Sequence, residues 1–327
     1  MNFLDLQNIK TIQLDHTSRC NLACPQCART VNPISKKDLT INDYKIILEP
    51  FDSVKFFHCG NYGDALASPT FDETYDFYID KISQCKIATN GSLRTKDWWH
   101  NFAKKSNKNV VVFSIDGLHD TNAIYRINSD FDKIISNASS YINAGGNAEW
   151  HFIVFEHNHH QVDEARKLSI EMGFNKFKIK YSTRELMAKV DTKDFVKVSS
   201  KIHKKKIKSI LSDYKSFVNY TKETDILCKA KLERKVFIDY DMNLMPCCWF
   251  GAHDPPAWRQ MEKVFDKYGK EFYNLRKYGW NVLEHQFYQN HLYNSWKNVE
   301  ERIYTCGRTC GRQFQSSSGY GQNINEI

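Results

Sequence analysis

The stretch CNLACPQC, residues 20–27, carries three cysteines, Cys20, Cys24 and Cys27, in the spacing C-x3-C-x2-C. A tetrahedral zinc site wants four protein ligands, and this loop supplies three. A cubane [4Fe-4S] cluster is normally held by four thiolates, so three cysteines on one loop can hold three irons and leave the fourth open to a small molecule. The spacing therefore favours an iron–sulfur cluster. Zinc with a remote fourth ligand, such as His16 or His58, is the alternative.

The composition is ordinary for a globular protein, because 41% of the 327 residues are hydrophobic and 26% are charged. The N-terminal residues, MNFLDLQNIKTIQLD, lack the basic and apolar regions of a signal peptide. No run approaches the roughly 20 apolar residues that cross a bilayer. We therefore expect a cytoplasmic protein with no membrane partner. In that reducing compartment, ten cysteines indicate metal ligation or redox chemistry before disulfides.

The formal charge of +8 raises the question of nucleic-acid binding. Its densest run, KIHKKKIK at residues 201–208, alternates with apolar residues at helical spacing, which indicates a solvated helix face. Metal-bound thiolates would also lower the real charge. Nucleic acid is therefore not an expected partner.

Short apolar runs alternate with helical patterns from residue 11 to residue 181. Apolar residues at helical spacing predict helices over 41–51, 71–82, 131–142 and 162–172, the first opened by a capping box of Thr40 and Asp43. This alternation predicts a parallel sheet with helices outside, whose chemistry lies at the C-terminal ends of the strands. The three cysteines follow the first strand, where such a site is expected. The six predicted strands are TIQLD (11–15), VKFFH (54–58), CKIAT (85–89), NVVVFSI (109–115), WHFIVF (150–155) and FKIKY (177–181).

Four motifs follow the first four strands in order: CNLACPQCAR (20–29), GNYGDALASP (60–69), TNG (89–91) and SIDG (114–117). Together they resemble the radical S-adenosylmethionine (SAM) superfamily. The resemblance implies a partial (β/α)6 TIM-like barrel with a [4Fe-4S] cluster on Cys20, Cys24 and Cys27. The open iron would bind SAM, which is cleaved by one electron to a 5′-deoxyadenosyl radical that abstracts hydrogen from the substrate.

The same resemblance implies which residues hold SAM. In the second motif Asn61 and Tyr62 separate the glycines, and Gln26 stands where an aromatic residue often precedes the third cysteine, so this chain is a variant of the pattern. Glu156 or Asn158 would also face SAM. The predicted cofactor-binding residues are Gly60, Gly63, Asp64, Asn90, Ser114, Asp116 and Arg126.

A second cysteine set follows residue 190, in FIDYDMNLMPCC (237–248) and CGRTC (306–310). It resembles the SPASM/Twitch extension of radical SAM enzymes, with Met242 where glycine usually stands. The resemblance implies one auxiliary [4Fe-4S] cluster, because five cysteines are too few for two. Its ligands would be Cys228, Cys247, Cys306 and Cys310, with Cys248 spare or replacing Cys247. A structural zinc site on four cysteines is the alternative. Cys59 and Cys85 are predicted to be buried small hydrophobes.

The predicted domains are a barrel over 1–190, a small cysteine-rich Twitch-like domain with its linking helix over 191–312, and a mobile tail over 313–327. The predicted function is hydrogen abstraction from a small molecule that is oxidised with help of the auxiliary cluster, with a one-electron donor such as flavodoxin or ferredoxin. Arg184, after the sixth strand, is a substrate-binding candidate or a surface residue.

Two other functions stay open. The first is a peptide- or protein-modifying enzyme of the sulfatase-maturase or ribosomal-peptide type. Because the first strand begins near residue 11, we expect no leader-binding module before the barrel, which favours the small molecule. The second is a non-enzymatic iron–sulfur or zinc redox sensor, although a sensor does not need SAM-binding turns.

Overall fold

The computed structural model describes residues 4–31, 34–60, 62–181, 212–251, 264–269, 271–311 and 324–325. Arg184 and the basic run at 201–208 lie outside these ranges. Contacts divide the chain into two compact units. The first unit contains the described residues within 1–14, 39–57 and 201–319, and the second contains those within 15–38, 58–200 and 320–327. The predicted division at residue 190 falls outside the described residues and stays a prediction.

Nine strands are described. Within the first unit the strand order is β8-β7-β1-β2, and within the second it is β3-β4-β5-β6-β9. The pairs β1–β7, β3–β4, β4–β5 and β5–β6 are parallel, whereas β7–β8 and β6–β9 are antiparallel. The strands are β1 (Thr11–Leu14), β2 (Val54–Cys59), β3 (Ile82–Thr89), β4 (Asn109–Ser114), β5 (Ala148–Val154), β6 (Lys176–Tyr181), β7 (Lys235–Ile238), β8 (Leu244–Met245) and β9 (Ile324–Asn325).

Helices follow each of the first five strands, so the mixed α/β fold and its mostly parallel sheet are confirmed. The sequence singled out no helix at α4. The helices are α1 (Ala28–Val31), α2 (Ile41–Leu48), α3 (Phe71–Tyr78), α4 (Lys96–Lys105), α5 (Asn122–Tyr125), α6 (Phe131–Asn143), α7 (Val162–Glu171), α8 (Phe217–Glu223), α9 (Lys229–Glu233), α10 (Leu275–Tyr278), α11 (Leu292–Lys297) and α12 (Tyr304–Cys310).

Local chemistry explains where these helices begin and end. The predicted capping box opens α2, since Thr40 accepts from the Asp43 amide and Asp43 accepts from the Thr40 amide. Thr95 caps α4, because its side chain accepts from the Trp98 amide. Ile82 was predicted to continue the helical stripe of α3, but the helix ends at Tyr78 and Ile82 opens β3. The apolar side chain of Ile82 can be buried from a strand as well as from a helix. The hydrophobic period therefore did not distinguish a helix from a strand at this residue.

The core of the second unit lies on one face of its strands. Phe113 packs 5.1 Å from Trp99 of α4 and 6.3 Å from Tyr141 of α6, measured between ring centroids. Trp150 packs 5.8 Å from Phe177 on the neighbouring strand. Because successive side chains on a strand face opposite sides, the alternate residues of β3 to β6 face away from the helices. That second face carries polar side chains such as Lys86, Glu149 and His151 beside apolar ones such as Val112.

In the first unit β7 and β8 form a hairpin, and β7 also extends the sheet beside β1. Met242 in the hairpin loop has φ +66°, the left-handed conformation that glycine adopts without cost. This explains why glycine usually stands there. Met242 is fully buried, so packing of its side chain offsets the strain.

Two residues of the predicted mobile tail, Ile324 and Asn325, form β9 and pair with β6. The mobility of the tail stays a prediction. No helix in the described part of the chain combines the length and the apolar character needed to cross a membrane.

Candidate functional site

The first cysteine loop connects β1 to the short helix α1. The Cys27 amide donates to the Cys24 carbonyl at 3.0 Å, and the Leu22 amide donates to the Cys20 sulfur at 3.4 Å. The Ala23 amide donates to the Ile127 carbonyl at 3.1 Å. The loop is therefore fixed by its own backbone and by the segment after β4 that carries Arg126.

The glycine turn after β2 packs directly on this loop. Gly63 has φ +81°, and a Cβ there would collide with the Thr17 carbonyl oxygen. Gly60 has φ +111°, and its Cβ would lie 3.0 Å from the Ala88 carbonyl oxygen. Close approach of protein backbone thus accounts for both glycines. A contact of this turn with SAM stays a prediction.

Asp64 joins the turn after β2 to the turn after β3. Its Oδ2 accepts from the Thr89 hydroxyl at 2.9 Å, the Asn90 amide at 2.8 Å and the Asn90 side chain at 2.7 Å. Its Oδ1 accepts from the Leu66 amide at 3.1 Å. Burial raises the pKa of Asp64, and these donors oppose that shift. Because every one of these partners donates, the ionised carboxylate is the form that fits the site.

Asn90 extends this link to the cysteine loop. Its Nδ2 lies 3.7 Å from the Cys20 sulfur and 2.9 Å from Oδ1 of Asn21. Asn21 in turn donates to the Ser92 hydroxyl at 2.8 Å. Cys20, Gly63, Asp64 and Asn90 are therefore brought together, as the order of the motifs predicted. The parts played by Asn21 and Ser92 were missed, since both are common loop residues with no distinctive spacing.

Asp116 and Arg126 form a buried ion pair beside Cys24. Arg126 Nη2 lies 2.8 Å from Oδ2 of Asp116, whose side chain has no exposed surface. Oδ1 of Asp116 accepts from the Ile153 amide at 2.7 Å. Asn158 donates to the Asp116 carbonyl at 2.7 Å and accepts from the Phe155 amide at 2.7 Å, so it supports this pair. Its side chain does not cap the following helix.

Ser114 ends β4 opposite His151 of β5, on the face away from the helices. Among the described residues it makes no hydrogen bond to the cysteine loop or to the Asp116–Arg126 pair. Its contact with SAM stays a prediction.

The electrostatics of the loop suit a positively charged metal group. Burial, followed by the charge of Asp64, raises the pKa of Cys20 to about 12. Burial also raises the pKa of Cys24, and the nearby Arg126 opposes that shift. Thiols in such surroundings become ligands only when a cation compensates the thiolate charge, as metal coordination does. The donor set therefore fits a metal cluster.

The second cysteine set lies in the first unit. Cys228, Cys247, Cys306 and Cys310 all line one pocket, whose walls are completed by apolar side chains including Trp249 and Phe250. These are the four residues that were predicted to hold an auxiliary cluster. An apolar wall around thiolate ligands is the environment that controls solvent access to an iron–sulfur cluster.

Backbone contacts assemble this pocket from distant segments. The Leu227 amide donates to the Cys310 carbonyl at 2.9 Å, which places Cys228 beside α12. Cys306 and Cys310 lie one helical turn apart on α12 and therefore share a face. A Cβ at Gly307 would collide with the Thr221 carbonyl oxygen, so glycine lets α12 approach α8 closely.

Cys248 is not among the residues that line this pocket. Alternation along a strand would turn two adjacent cysteines to opposite faces, but that reason does not apply here, since β8 ends at Met245 and both Cys247 and Cys248 lie in the bend and turn that follow. Cys59 and Cys85 are buried, as predicted, and each sulfur lies within 3.8 Å of the Tyr78 hydroxyl.

Within the described ranges no three His, Cys, Asp or Glu side chains are grouped so as to hold one metal ion. A zinc ion draws its ligands to about 2.0–2.3 Å from a single centre. A cubane instead distributes its ligands over separate irons, so its cysteines stand further apart. Metal analysis distinguishes the two.

No family model and no curated protein sequence matches the chain. Among solved structures, anSMEcpe with bound AdoMet and a Cp18Cys peptide matches at 15% identity and TM-score 0.59, covering 96% of this chain and 92% of that one. Streptococcus suis SuiB bound to S-adenosylmethionine matches at 16% identity and TM-score 0.55, covering 74% of this chain. SuiB bound to its precursor peptide SuiA matches with TM-score 0.54 and 16% identity, covering 75% of this chain and 60% of that one.

The chain spans 61% of the SuiB structure with S-adenosylmethionine. The fold it shares with these proteins is that of radical SAM enzymes, so the resemblance drawn from the motifs is confirmed at the level of the fold.

Proposed function

We propose that this chain, which has the fold of radical SAM enzymes, reductively cleaves SAM and abstracts hydrogen from a substrate. One observation carries the proposal. Asp64 and Asn90 link the turns after β2 and β3 to the sulfur of Cys20, so three of the motifs meet at one cysteine. A redox sensor would require the cysteines but not this arrangement of turns around them.

A [4Fe-4S] cluster would be held by Cys20, Cys24 and Cys27, with its fourth iron left for the amino and carboxylate groups of SAM. When bound, the cluster supplies the electron that cleaves SAM to the hydrogen-abstracting 5′-deoxyadenosyl radical. The protein orients the donors. Asn90 and the Leu22 amide direct N–H groups at Cys20, and such hydrogen bonds favour the thiolate over the thiol.

Arg126 would bind the SAM carboxylate, supported by Asp116. The ion pair keeps the guanidinium in place, and only 11% of the Arg126 side chain is exposed. A planar fork of donors can serve Asp116 with one nitrogen and a second carboxylate with another. Gly60, Gly63 and Ser114 would complete the SAM site.

The second pocket would hold an auxiliary [4Fe-4S] cluster of the Twitch type on Cys228, Cys247, Cys306 and Cys310. Its role would be to take an electron from the substrate radical, so that the net reaction is a two-electron oxidation. A one-electron donor such as flavodoxin or ferredoxin would reduce the first cluster.

The first candidate substrate is a small molecule, as the sequence predicted. A specific observation favours the second candidate, a peptide, because solved structures with this fold were determined with peptides bound. To separate these candidates, the reduced protein and SAM are incubated either with peptides or with small acids and alcohols. Mass spectrometry then shows which of the two classes is converted to product.

Anaerobic metal analysis with spectroscopy tests the two-cluster proposal. We expect about eight irons and eight sulfides per chain, and a change in the electron paramagnetic resonance spectrum of the reduced protein when SAM is added. Zinc in place of iron would contradict the proposal. A spectrum that SAM leaves unchanged would favour the redox sensor.

A further inference from the structure

The face of β3 to β6 that lies away from the helices carries a bonded triad of Lys86, Glu149 and His151. Oε2 of Glu149 lies 2.7 Å from Nζ of Lys86 and 2.9 Å from Nε2 of His151. All three side chains are largely buried, and that of His151 keeps only 7% of its surface exposed. Strands of parallel sheets are normally apolar on both faces. A buried polar triad is costly in that place, which indicates a functional reason for it.

The triad fixes which ring nitrogen of His151 carries a proton. Although burial acts in the opposite direction, hydrogen bonds from His151 and Lys86 lower the pKa of Glu149 to about 2. Burial lowers the pKa of His151 to about 3, and of the charged groups around the ring, Lys86 and Lys180 act with burial while Glu149 opposes it. Near pH 7 Glu149 is therefore a carboxylate, which only accepts hydrogen bonds, and His151 is neutral with a single N–H. That N–H lies on Nε2, so Nδ1 is an acceptor.

Nδ1 of His151 is the one position of the triad whose hydrogen bond is not made within the protein as described. In the described ranges Glu149 is the only hydrogen-bond partner of the ring, and it takes Nε2. A buried acceptor without a donor costs free energy, and a bound donor group recovers that cost. The ring is therefore held ready for a group that supplies a proton to Nδ1.

The position of His151 places this acceptor close to the proposed SAM site. His151 is paired with Ser114 of β4, and both side chains occupy the same face. Two residues further along β5, the Ile153 amide donates to Oδ1 of Asp116 at 2.7 Å. His151 lies three residues before the C-terminal end of β5, and that edge of the sheet is where barrels of this kind hold their chemistry.

We infer that Nδ1 of His151 binds the substrate by accepting a hydrogen bond from an O–H or N–H group. This inference rests on the proposed function and specifies the substrate class, because the substrate must present a donor to this face of the sheet. Glu149 is a positioning residue, which fixes the tautomer and does not touch the substrate. An ether oxygen in the same place would meet the lone pair of Nδ1 with no proton between them. A site built to bond a donor discriminates strongly against an analogue that lacks it.

Nitrogen-15 NMR of the iron-loaded, oxidised protein with labelled histidine tests the tautomer. Loss of signals in His151→Gln assigns the two nitrogens of His151, and we expect Nε2 to be protonated and Nδ1 unprotonated. His159 is the internal control, because its Nδ1 donates to the Glu156 carbonyl at 2.7 Å and should be protonated. In Glu149→Gln the two tautomers of His151 should be mixed, since an amide both donates and accepts. A proton on Nδ1 in the wild type would overturn the inference.

Matched probes test the donor group. The Nδ1 resonance of His151 is followed while glycerol or its trimethyl ether, a serine peptide or its O-methylserine form, and N-methylacetamide or N,N-dimethylacetamide are added. The donor-bearing member of at least one pair should shift the resonance with a dissociation constant about tenfold or more below that of its methylated partner. The responding pair assigns a hydroxyl or an N–H group. Equal binding within every pair, or a resonance that no probe moves, would overturn the inference.

SAM also carries hydroxyl groups, so SAM alone separates cofactor from substrate. Saturation with SAM should leave the Nδ1 resonance of His151 in place. A shift caused by SAM alone would overturn the substrate assignment, because His151 would then serve the cofactor. A protein whose His151 binds a probe but which never cleaves SAM when reduced would reject the proposed function instead.

Discussion

The side-chain amide of Asn90 lies 3.7 Å from the sulfur of Cys20, and a second residue, Asp64, holds that amide at 2.7 Å. One hydrogen-bonded chain therefore runs from the turn after β2 to the cysteine loop. Asp64 thus supports the proposed cluster ligand Cys20 through Asn90, without contacting the sulfur itself.

Asp64→Asn should destabilise the protein by about 2–3 kcal/mol, because an amide NH2 group, which cannot accept a hydrogen bond, would replace one carboxylate oxygen and face N–H and O–H donors. Iron should also be held less tightly at the first cluster. Denaturant unfolding under anaerobic conditions measures the first effect. Asp163→Asn is the matched control, since 92% of the Asp163 side chain is exposed. A loss of stability no larger than in the control would contradict the role of Asp64.

Arg126→Lys should weaken SAM binding by roughly 10- to 100-fold, about 1.5–3 kcal/mol, with iron content unchanged. Lysine keeps the charge beside Asp116 but loses the planar fork. Equilibrium dialysis with labelled SAM gives the dissociation constant, and Ser114→Ala should show a smaller loss. Wild-type affinity in Arg126→Lys would remove this arginine from the SAM site.

A companion variant, Arg126→Gln, separates binding from stability. It leaves the buried Asp116 carboxylate without its ion-pair partner, which should cost about 3–5 kcal/mol of unfolding free energy. Arg126→Lys should lose much less.

Cys228→Ser should lose about four irons per chain, whereas Cys248→Ser should lose almost none. The physical reason is that Cys228 lines the shared pocket with three other cysteines and Cys248 does not. Iron analysis of both variants gives the answer, with Cys248→Ser as the control for losing a neighbouring thiol. If iron is instead lost from Cys248→Ser and kept in Cys247→Ser, the second cluster is present but Cys248, and not Cys247, is its ligand.

Stability should fall as pH is lowered from 6.5 because of His16. Burial lowers the pKa of His16 to about 4 from its ordinary value of 6.5. Between these values the unfolded chain binds a proton that the folded chain does not, so acid favours unfolding. The contribution is about 2 kcal/mol between pH 6.5 and pH 5.

Unfolding of wild type and His16→Gln across this range isolates the histidine. His151 adds a loss of the same sign, so the difference between the two proteins is the informative quantity. If the free energy of unfolding changed with pH equally in the two proteins, His16 would not titrate as described.

Periodicity in the sequence was enough to place the six predicted strands and the helices α2, α3, α6 and α7, but it did not single out α4. It failed at Ile82, because an apolar residue between two elements fits either period. The order of the motifs anticipated the meeting of Cys20, Gly63, Asp64 and Asn90, since the ends of parallel strands share one edge. The links through Asn21 and Ser92 depend on side-chain geometry, which no spacing encodes.

Two further features have a signal in the sequence. The alternation KFKIKY in β6 places lysines on one face, and only the structure shows that this face is also the one that carries Glu149 and His151. Met242 has a left-handed backbone conformation. Because glycine usually stands at that point of the motif, and glycine adopts this conformation without cost, the motif itself indicates it.

The amount of 5′-deoxyadenosine that the reduced, iron-loaded protein forms from SAM tests the proposed chemistry. Wild type should form it, and the variant with Cys20, Cys24 and Cys27 all changed to alanine should form none while keeping about four irons in the second pocket. Formation of 5′-deoxyadenosine by the triple variant, or none by a wild type that holds both clusters, would contradict the proposal that this chain cleaves SAM through the first cysteine loop.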